Sequence, residues 1–347
     1  MSLISLYTTL FETNNVPYDI IYMDKYGVEE RTGAANVFRY ENVINAKAPK
    51  PIRALKYLKF IKYAVNIIDS RHYDFIVVWG EVAALLFGRY LSRHHSKHYC
   101  INIRDYLYQD KFYVRSIFRK TMAAASFTTI SSKGYRTFLP NEGRIIEVHS
   151  LNETVLSACN VRKHQGAEPI KIGFIGYIRF FEINKKLIDV FANDSRFELH
   201  YYGSHSEFLE EYANSRGVKN CVFSGGFSVQ DTGRYIDRID IINNLYGSGS
   251  KQVDYALSIR LYYSLYCNIP ILVNTNTYME KVTKRLGVGF AVDQVSEGLP
   301  DELYEWYSSL DYSKIASNCK EAVADIRLAQ VEFFDEVQRI ANCVSND

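Results

Sequence analysis

The sequence predicts an α/β protein with two doubly wound, Rossmann-like domains that face each other across a cleft. Short apolar runs, typical of strands buried on both faces, alternate with amphipathic helical patterns along nearly the whole chain. A polar stretch with a Gly and a Pro, at 160–169, interrupts the alternation, which then starts afresh. The length of 347 residues also fits two domains better than one.

The first predicted domain covers residues 1–160. Its strands are expected at 18–23, 74–79, 98–103, 127–130 and 144–148. Its helices are expected at about 3–14, 53–69, 81–94, 112–125 and 131–138. A doubly wound domain ordinarily opens on a strand and a tight Gly turn, whereas this one opens on a helix. We therefore expect the first strand of this domain to be missing.

The second predicted domain covers residues 161–311. Its strands are expected at 170–175, 197–202, 221–223, 239–243, 270–273 and 290–292. Its helices are expected near 182–193, 205–216, 228–237, 253–267 and 276–286. The final segment, 312–347, carries a long amphipathic helix over about 312–342, which we expect to pack back across both domains.

Composition excludes several classes of protein. No apolar run approaches the roughly 18 residues that cross a bilayer, and the N-terminus lacks the pattern of a signal peptide. The six cysteines are far apart and form no CxxC pair, so neither a zinc ribbon nor a disulfide framework is expected. This cysteine usage favours the reducing cytosol.

Glycine loops follow several strands of the second domain, at the sheet edge where open α/β proteins bind ligands. Each glycine would let the backbone approach a phosphate, and Arg and Lys at a helix start would add charge. The residues concerned are Gly176, Arg179, Lys185, Gly203, Gly225, Gly247, Ser248 and Gly249. An ordinary strand–turn–helix connection with solvated basic residues would show the same pattern and is the alternative. No Walker A loop or GxGxxG fingerprint is present, which disfavours P-loop NTPases and NAD enzymes.

The segment 257–272, LSIRLYYSLYCNIPIL, resembles the nucleotide-sugar motif of GT-B glycosyltransferases of the family 4-like group. That motif has a basic residue, two apolar residues, Glu, Ala, small residues and Pro-Val-Ile. Five further segments are similar to motifs of the same family, in the same order along about 70–345. They are IRDYL (103–107), ASFTTIS (125–131), IGFIGY (172–177), NCVFSG (220–225) and LGVGF (286–290).

The resemblance implies that the second domain holds a nucleotide-sugar donor and the first domain an acceptor. It implies that Arg179 and Lys185 bind the donor pyrophosphate, with the 247–250 loop reaching the same phosphates. Arg260 would lie near the phosphate or ribose. Asp105 would orient the acceptor hydroxyl or act as its base, although a helix cap or an ion pair with Arg104 would also explain it.

One departure from the family concerns donor recognition. Tyr263 stands where the family motif has its ribose-binding Glu, and Tyr255 stands where the family has an earlier Glu that forms a pair of acids with it. A carboxylate can accept two hydrogen bonds from a ribose diol, whereas a phenol cannot do so bidentately. Asp254 could replace the first Glu, or the donor could differ, or the protein could be weakly active.

Basic residues recur every three positions between 47 and 62, with apolar residues between them. The apolar residues Leu58, Ile61, Val65 and Ile68 form one helical stripe, which we expect to pack on the sheet. Lys50, Arg53, Lys56 and Lys59 would then be exposed, and could hold the chain to an anionic membrane near a lipid-linked acceptor. A solvated basic helix is the plainer alternative. No nucleic-acid-binding motif accompanies these residues.

These observations predict a cytoplasmic glycosyltransferase, peripheral to the inner face of the plasma membrane. It would move a sugar from a nucleotide-sugar to a glycan or lipid-linked acceptor in cell-surface polysaccharide synthesis. The resemblance implies retention of anomeric configuration, no metal and no cofactor, since the nucleotide-sugar is a substrate. Two alternatives stay open: a catalytically silent GT-B binding module and a GT-B-like sugar-nucleotide epimerase.

Overall fold

The chain divides into two compact units. The computed structural model describes residues 4–24, 33–41, 49–151, 153–163 and 167–344. Unit 1 consists of Met1–Val148 and Ala329–Asp347, and unit 2 of His149–Leu328.

Unit 2 begins before the boundary that we placed after residue 160. His149 Nδ1 lies 3.0 Å from Tyr262 Oη in a buried contact. Arg162, in the expected linker, forms an ion pair of 2.5 Å with Asp240. These contacts hold the start of the expected linker against unit 2, while residues 164–166 lie outside the described part of the chain.

The described strands of unit 1 form two parallel sheets. Its strands are β1 (Asp19–Asp24), β2 (Asn36–Glu41), β3 (Ile76–Trp79), β4 (Tyr99–Ile103), β5 (Phe127–Ile130) and β6 (Ile145–Glu147). Its helices are α1 (Ser5–Thr13), α2 (Lys50–Arg71), α3 (Glu81–His94) and α4 (Phe112–Ala124). One sheet pairs β1 with β2, and the other has the order β3-β4-β5-β6.

The sequence predictions for unit 1 are confirmed for β1 and β3–β6 and for helices α1–α4. The strand β2 was not predicted because its residues are half-buried or exposed, so its sequence NVFRYE shows no apolar run. By contrast, every residue of β4 and β5 is buried. The helix predicted at 131–138 is a short 3₁₀ helix over Lys133–Thr137.

Helix α2 buries a face that overlaps only in part with the predicted one, since Ile68 is buried and Ile61 and Val65 are half-buried. Its buried residues are Phe60, Ala64 and Ile68, spaced by four along one helical face. Leu58, predicted to pack on the sheet, is 62% exposed. The prediction was wrong here because apolar residues lie around much of the helix, so the pattern alone admits two faces.

Unit 2 contains one parallel sheet of β7 (Ile170–Ile175), β8 (Phe197–Tyr202), β9 (Cys221–Ser224), β10 (Ile241–Asn243), β11 (Ile271–Asn274) and β12 (Gly289–Val292). Its first helices are α5 (Glu153–Ser157), α6 (Phe181–Val190), α7 (Ser206–Ser215), α8 (Thr232–Ile236) and α9 (Lys251–Asp254). They are followed by α10 (Ile259–Cys267), α11 (Tyr278–Leu286), α12 (Leu299–Ser308) and α13 (Tyr312–Val344).

The strand order in unit 2 is β12-β11-β10-β7-β8-β9, which is the doubly wound arrangement. The strand β7 is central, and the chain moves outward from it first through β8 and β9 and then through β10 to β12. All six strands were predicted. The predicted helix 253–267 is interrupted, because Ser258 caps a new helix by accepting a hydrogen bond from Arg260 N.

The long C-terminal helix, predicted at about 312–342, is α13, with 33 residues. In its first half, Ile315 and Cys319 pack in a core of unit 2. In its second half, Phe333 and Val337 pack in the core of unit 1 with Tyr7. One continuous helix therefore contributes to both units.

Candidate functional site

In the unit 2 sheet, β7 and β10 are neighbours. The strand that follows β7, β8, lies on one side of this pair, and the strand that follows β10, β11, lies on the other side. The boundary between β7 and β10 is therefore the topological switch point of the sheet. Ligands of doubly wound proteins bind beyond the carboxyl ends of the strands at such a point. The loops that follow β7 and β8 lie very close together there. A Cβ on Gly203 would lie 1.8 Å from the carbonyl oxygen of Gly176, and Gly203 has a φ of +144°. Only glycine fits at position 203.

Arg260, on the first turn of α10, is buried at this switch point, with 6% of its surface exposed. Its guanidinium carbon lies 4.0 Å from the centre of the Phe174 ring. It donates hydrogen bonds to the carbonyl of Ile175 and the hydroxyl of Tyr246. Its Nε has no hydrogen-bond partner among the described residues. Both contacted elements, the end of β7 and the loop after β10, belong to the switch point.

No carboxylate neutralises Arg260 within the described ranges. Burial, followed by the nearby charge of Arg179, lowers the pKa of the Arg260 guanidinium to about 9, and this leaves it charged at pH 7. A buried cation without a counter-ion is unfavourable in the isolated protein. The site is therefore suited to an anion.

Two buried amides hold the switch point together. Asn184, on α6, accepts a hydrogen bond of 3.0 Å from Asn243, the last residue of β10. Its own Nδ2 donates to the carbonyls of Arg179 and Phe180 in the loop after β7. The hydrogen bond between Asn184 and Asn243 was not predicted from the sequence. One residue lies in a helical pattern and the other at the end of an apolar run, and nothing in either pattern indicates that the two side chains meet. Next to it, the buried Oδ1 of Asn244 has no hydrogen-bond partner in the described part of the chain.

The glycine loop after β10 is fixed at its base and open at its tip. Gly247 N donates to Asn274 Oδ1 at 2.8 Å, and Gly249 N donates to Asp254 Oδ1 at 2.9 Å. Gly247 and Gly249 have positive φ, and no atom lies within 4 Å of the position of their Cβ. Asp254, which we considered as a donor-binding substitute for the family Glu that aligns with position 255, holds this loop. The neighbouring Ser248 is exposed.

Other predicted donor residues lie in different surroundings. Lys185 Nζ lies 3.0 Å from Glu182 Oε1 and 5.4 Å from the centre of the Tyr212 ring, so a phosphate would compete with Glu182 for it. Tyr263 is buried in an apolar core, and burial raises its pKa to about 12. Gly225 is exposed, with nothing within 4 Å of the position of its Cβ.

Unit 1 presents acidic residues at the carboxyl ends of β3 and β4. Glu81, at the start of α3, is half-buried, and its Oε2 is buried with no hydrogen-bond partner among the described residues. Burial, and then the charge of Asp105, raise the pKa of Glu81, although backbone N–H groups partly oppose this. Asp105 accepts a hydrogen bond of 2.7 Å from Tyr106 N. Glu81 was not predicted, since a Glu at a helix start usually serves the helix alone.

The basic residues predicted to contact a membrane lie on α2. Lys59 is exposed and Lys56 half-buried, whereas the side chains of Lys50 and Arg53 lie outside the described part of the chain. In the ranges described, no helix is long and apolar enough to cross a membrane. No three His, Cys, Asp or Glu side chains of those ranges converge to form a metal site.

Comparison with solved structures establishes the fold. The chain is similar to sucrose-phosphate synthase from Thermosynechococcus elongatus, with a TM-score of 0.71, 10% identity, and coverage of 98% of this chain and 92% of that one. The apo lipopolysaccharide outer core galactosyltransferase WaaB gives a TM-score of 0.61 at 13% identity, over 99% and 95% of the two chains. The chain has the GT-B fold.

A third similar GT-B structure, HepE from Anabaena, is a complex with UDP. Its TM-score is 0.54 at 14% identity, over 90% of this chain and 86% of that one. No protein-family model and no curated protein sequence matches the chain. Identities this low show a shared GT-B fold alone, so the activity has to be argued from the residues of the site.

Proposed function

We propose that this protein is a glycosyltransferase that uses a nucleotide-sugar donor. The observation that carries the proposal is the buried guanidinium of Arg260, which has no carboxylate partner in the described chain and lies at the switch point of unit 2. A pyrophosphate supplies the negative charge that this site lacks. The GT-B fold, shared with a UDP-bound protein, supports the same assignment.

In this proposal Arg260 and Arg179 act on the leaving group. Cleavage of the bond between sugar and phosphate leaves charge on the nucleoside diphosphate. Fixed cations in a site of low dielectric stabilise that charge without reorganisation. The open backbone at Gly176, Gly247 and Gly249 lets N–H groups approach the phosphate oxygens. Arg179 is exposed, so it is free to approach the donor.

We assign the acceptor to unit 1, where Glu81 and Asp105 present carboxyl groups. A carboxylate accepts a hydrogen bond from a sugar hydroxyl and orients it, or removes its proton as the new bond forms. The raised pKa of Glu81 suits it to carry a proton. We further propose a retaining, metal-independent reaction on a glycan or lipid-linked acceptor, following the motif resemblance.

The surface of unit 1 supports contact with an anionic membrane. On α2, the exposed Leu58 lies beside the exposed Lys59. On α4, Phe112 is 89% exposed and Tyr113 69%, on the same helix as the exposed Arg115. Helices that combine exposed aromatic, aliphatic and basic residues bind at membrane interfaces. The residues of α4 add a second such helix to the one predicted from the sequence.

A thermal-shift screen with nucleoside diphosphates and their sugars, with and without EDTA, tests the proposal. A ligand at 100 times its Kd adds about 2.7 kcal/mol of apparent stability, which is easily measured. We expect one nucleotide to shift the melt in EDTA, and its sugar to be transferred to an added acceptor. Binding without turnover would favour the silent module, and turnover of the donor alone would favour the epimerase. No shift with any nucleotide would contradict the proposal.

A further inference from the structure

Two cysteines of unit 2, far apart in sequence, lie side by side in the fold. Cys159 follows α5 by two residues, and Cys267 is the last residue of α10. Their thiols form a hydrogen bond with each other. The backbone holds the same two segments together. Arg162 N donates a hydrogen bond of 2.8 Å to the carbonyl of Cys267, and Asn268 Nδ2 donates one of 3.3 Å to the carbonyl of Arg162.

The hydrogen bonds make the two thiols unequal. Cys159 Sγ donates to the carbonyl of Val155 at 3.1 Å, so it is the acceptor of the bond from Cys267. A hydrogen bond accepted by a sulfur favours its thiolate and lowers the pKa of Cys159, although burial and the charge of Asp237 partly oppose this. The same bond, followed by burial, raises the pKa of Cys267. Cys159 is therefore the thiol of the pair that forms the nucleophilic thiolate more readily.

The two sulfurs also differ in access to solvent. Cys159 is half-buried, and its neighbours Ala158 and Asn160 are exposed. Cys267 is fully buried and packs in an apolar core of unit 2. A small molecule in solution can therefore reach Cys159, while Cys267 is shielded from it.

The other cysteines that the structure describes are in different surroundings. Burial raises the pKa of Cys221 and of Cys319 to about 12, and it also raises the pKa of Cys100. Buried thiols of this kind are unreactive. Of the five described cysteines, Cys159 is the one whose pKa is lowered.

We propose that Cys159 and Cys267 are a thiol pair that a low-molecular-weight disulfide oxidises to a reversible intramolecular disulfide. In the first step the Cys159 thiolate attacks one sulfur of the small disulfide, whose S–S bond breaks and releases one small thiolate. Cys267 then attacks Cys159 Sγ, forms the protein disulfide and displaces the second small thiolate. The two protein thiols give up two electrons, which the small disulfide takes, and their two protons end on the two released small thiols.

Contact between the thiols favours the second step. Because Cys267 is already beside Cys159, its attack is intramolecular and competes well with any thiol in solution. Once Cys159 carries the small thiol it has no negative charge, so the main cause of the raised pKa of Cys267 is removed. A reducing compartment does not exclude such a bond, since disulfides of cytosolic proteins are usually transient and respond to redox conditions.

The disulfide would join the segment after α5 to the carboxyl end of α10. The strands β7, β8, β9 and β10 all lie in the loop that it closes. A cross-link over so long a loop stabilises a protein by restricting the unfolded chain. The oxidised protein should therefore unfold at a higher temperature than the reduced protein.

The test incubates the full, folded chain with oxidised glutathione and measures intact and peptide masses. We expect the parent to lose two hydrogen atoms, to keep no glutathione and to yield one cross-linked peptide pair containing Cys159 and Cys267. Cys267→Ala should stop after the first step and keep one glutathione on Cys159. Cys159→Ala should react at least about tenfold more slowly than the parent. Cys221→Ala is the matched control, because Cys221 is also half-buried, and it should react as the parent does.

A parent chain that keeps glutathione on Cys159 would show that Cys267 does not reach it, and would overturn the proposal. A parent that does not react, or Cys159→Ala reacting as fast as the parent, would also overturn it. We expect the oxidised parent to melt several degrees above the reduced parent, and dithiothreitol to reverse both the mass change and the shift. A lower melting temperature after oxidation would mean that the bond forms only in a distorted unit, against the proposal. None of these readouts depends on nucleotide binding or sugar transfer.

Discussion

Asn243 donates a hydrogen bond of 3.0 Å to Asn184 and so ties the end of β10 to the first turns of α6. Asn184 is fully buried and also donates to two carbonyls of the loop after β7. This single side chain joins α6 to the end of β10 and to the loop after β7, the loop and strand end that flank the switch point. The position of the candidate site therefore depends on a polar contact inside an otherwise apolar unit.

Replacing Asn184 should loosen the switch point. Asn184→Ala removes the acceptor of the Asn243 side-chain NH2 and the side-chain donor to the carbonyls of Arg179 and Phe180, of which Phe180 keeps a bond from the backbone N–H of residue 184. We therefore expect a loss of about 2–4 kcal/mol in unfolding free energy. Urea denaturation measures this. A double-mutant cycle with Asn243→Ala should give a coupling of about 0.5–3 kcal/mol. Strictly additive losses would mean that the two amides do not act together.

The close approach of Gly203 to Gly176 makes a second prediction. Gly203→Ala forces a Cβ against the Gly176 carbonyl at a positive φ, which should cost about 2–4 kcal/mol and displace the loop after β7. Gly225→Ala is the matched control, because nothing lies within 4 Å of its Cβ position and its effect should stay within about 0.5 kcal/mol. Similar melting temperatures for the two variants would contradict this packing.

Glu81 should make stability depend on pH. Its pKa is raised in the folded protein, chiefly by burial, so the ionised form favours unfolding. Its contribution to stability is full below its unfolded pKa and is lost as pH rises through its folded pKa. Glu81→Gln should therefore be more stable than the parent at pH 7 and equally stable near pH 4. It should also transfer sugar more slowly at pH 7. If Glu81→Gln had the same pH profile of unfolding as the parent, the pKa of Glu81 would not be raised by folding.

The exposed residues of α2 and α4 should bind anionic vesicles. Changing Lys56 and Lys59 to Glu removes attraction worth roughly 1 kcal/mol per basic residue near the surface, besides adding repulsion. Changing Phe112 to Ser removes an inserted ring. We expect each variant to weaken flotation with phosphatidylserine vesicles. We also expect 0.5 M salt to weaken flotation of the parent chain mainly by screening the attraction of the lysines to the vesicle surface. Flotation equal to that of the parent chain would contradict membrane contact.

Most strands could be predicted because a strand buried on both faces of a parallel sheet is a nearly continuous apolar run, as at β4 and β7. Such a run can be recognised without knowing which other elements pack against it. β2 could not be, since a half-exposed strand has no such run. The face of α2 was misassigned because its apolar residues surround the helix. At the site, Arg260 was found through motif resemblance, whereas its burial and its lack of a carboxylate partner among the described residues depend on long-range packing. Glu81 and Asn184 carry no local signal and acquire their roles only from neighbouring strands and loops.

The most direct measurement is calorimetric binding of the nucleotide selected by the thermal screen to Arg260→Gln. We predict that Kd rises about tenfold to a hundredfold, as expected for a lost hydrogen bond to a charged group. We also predict that the ligand-free variant is as stable as the parent or more so, because a buried uncompensated charge is removed. Arg285→Gln, at an exposed arginine of unit 2, should change neither quantity. An unchanged Kd in Arg260→Gln would contradict the account of the site.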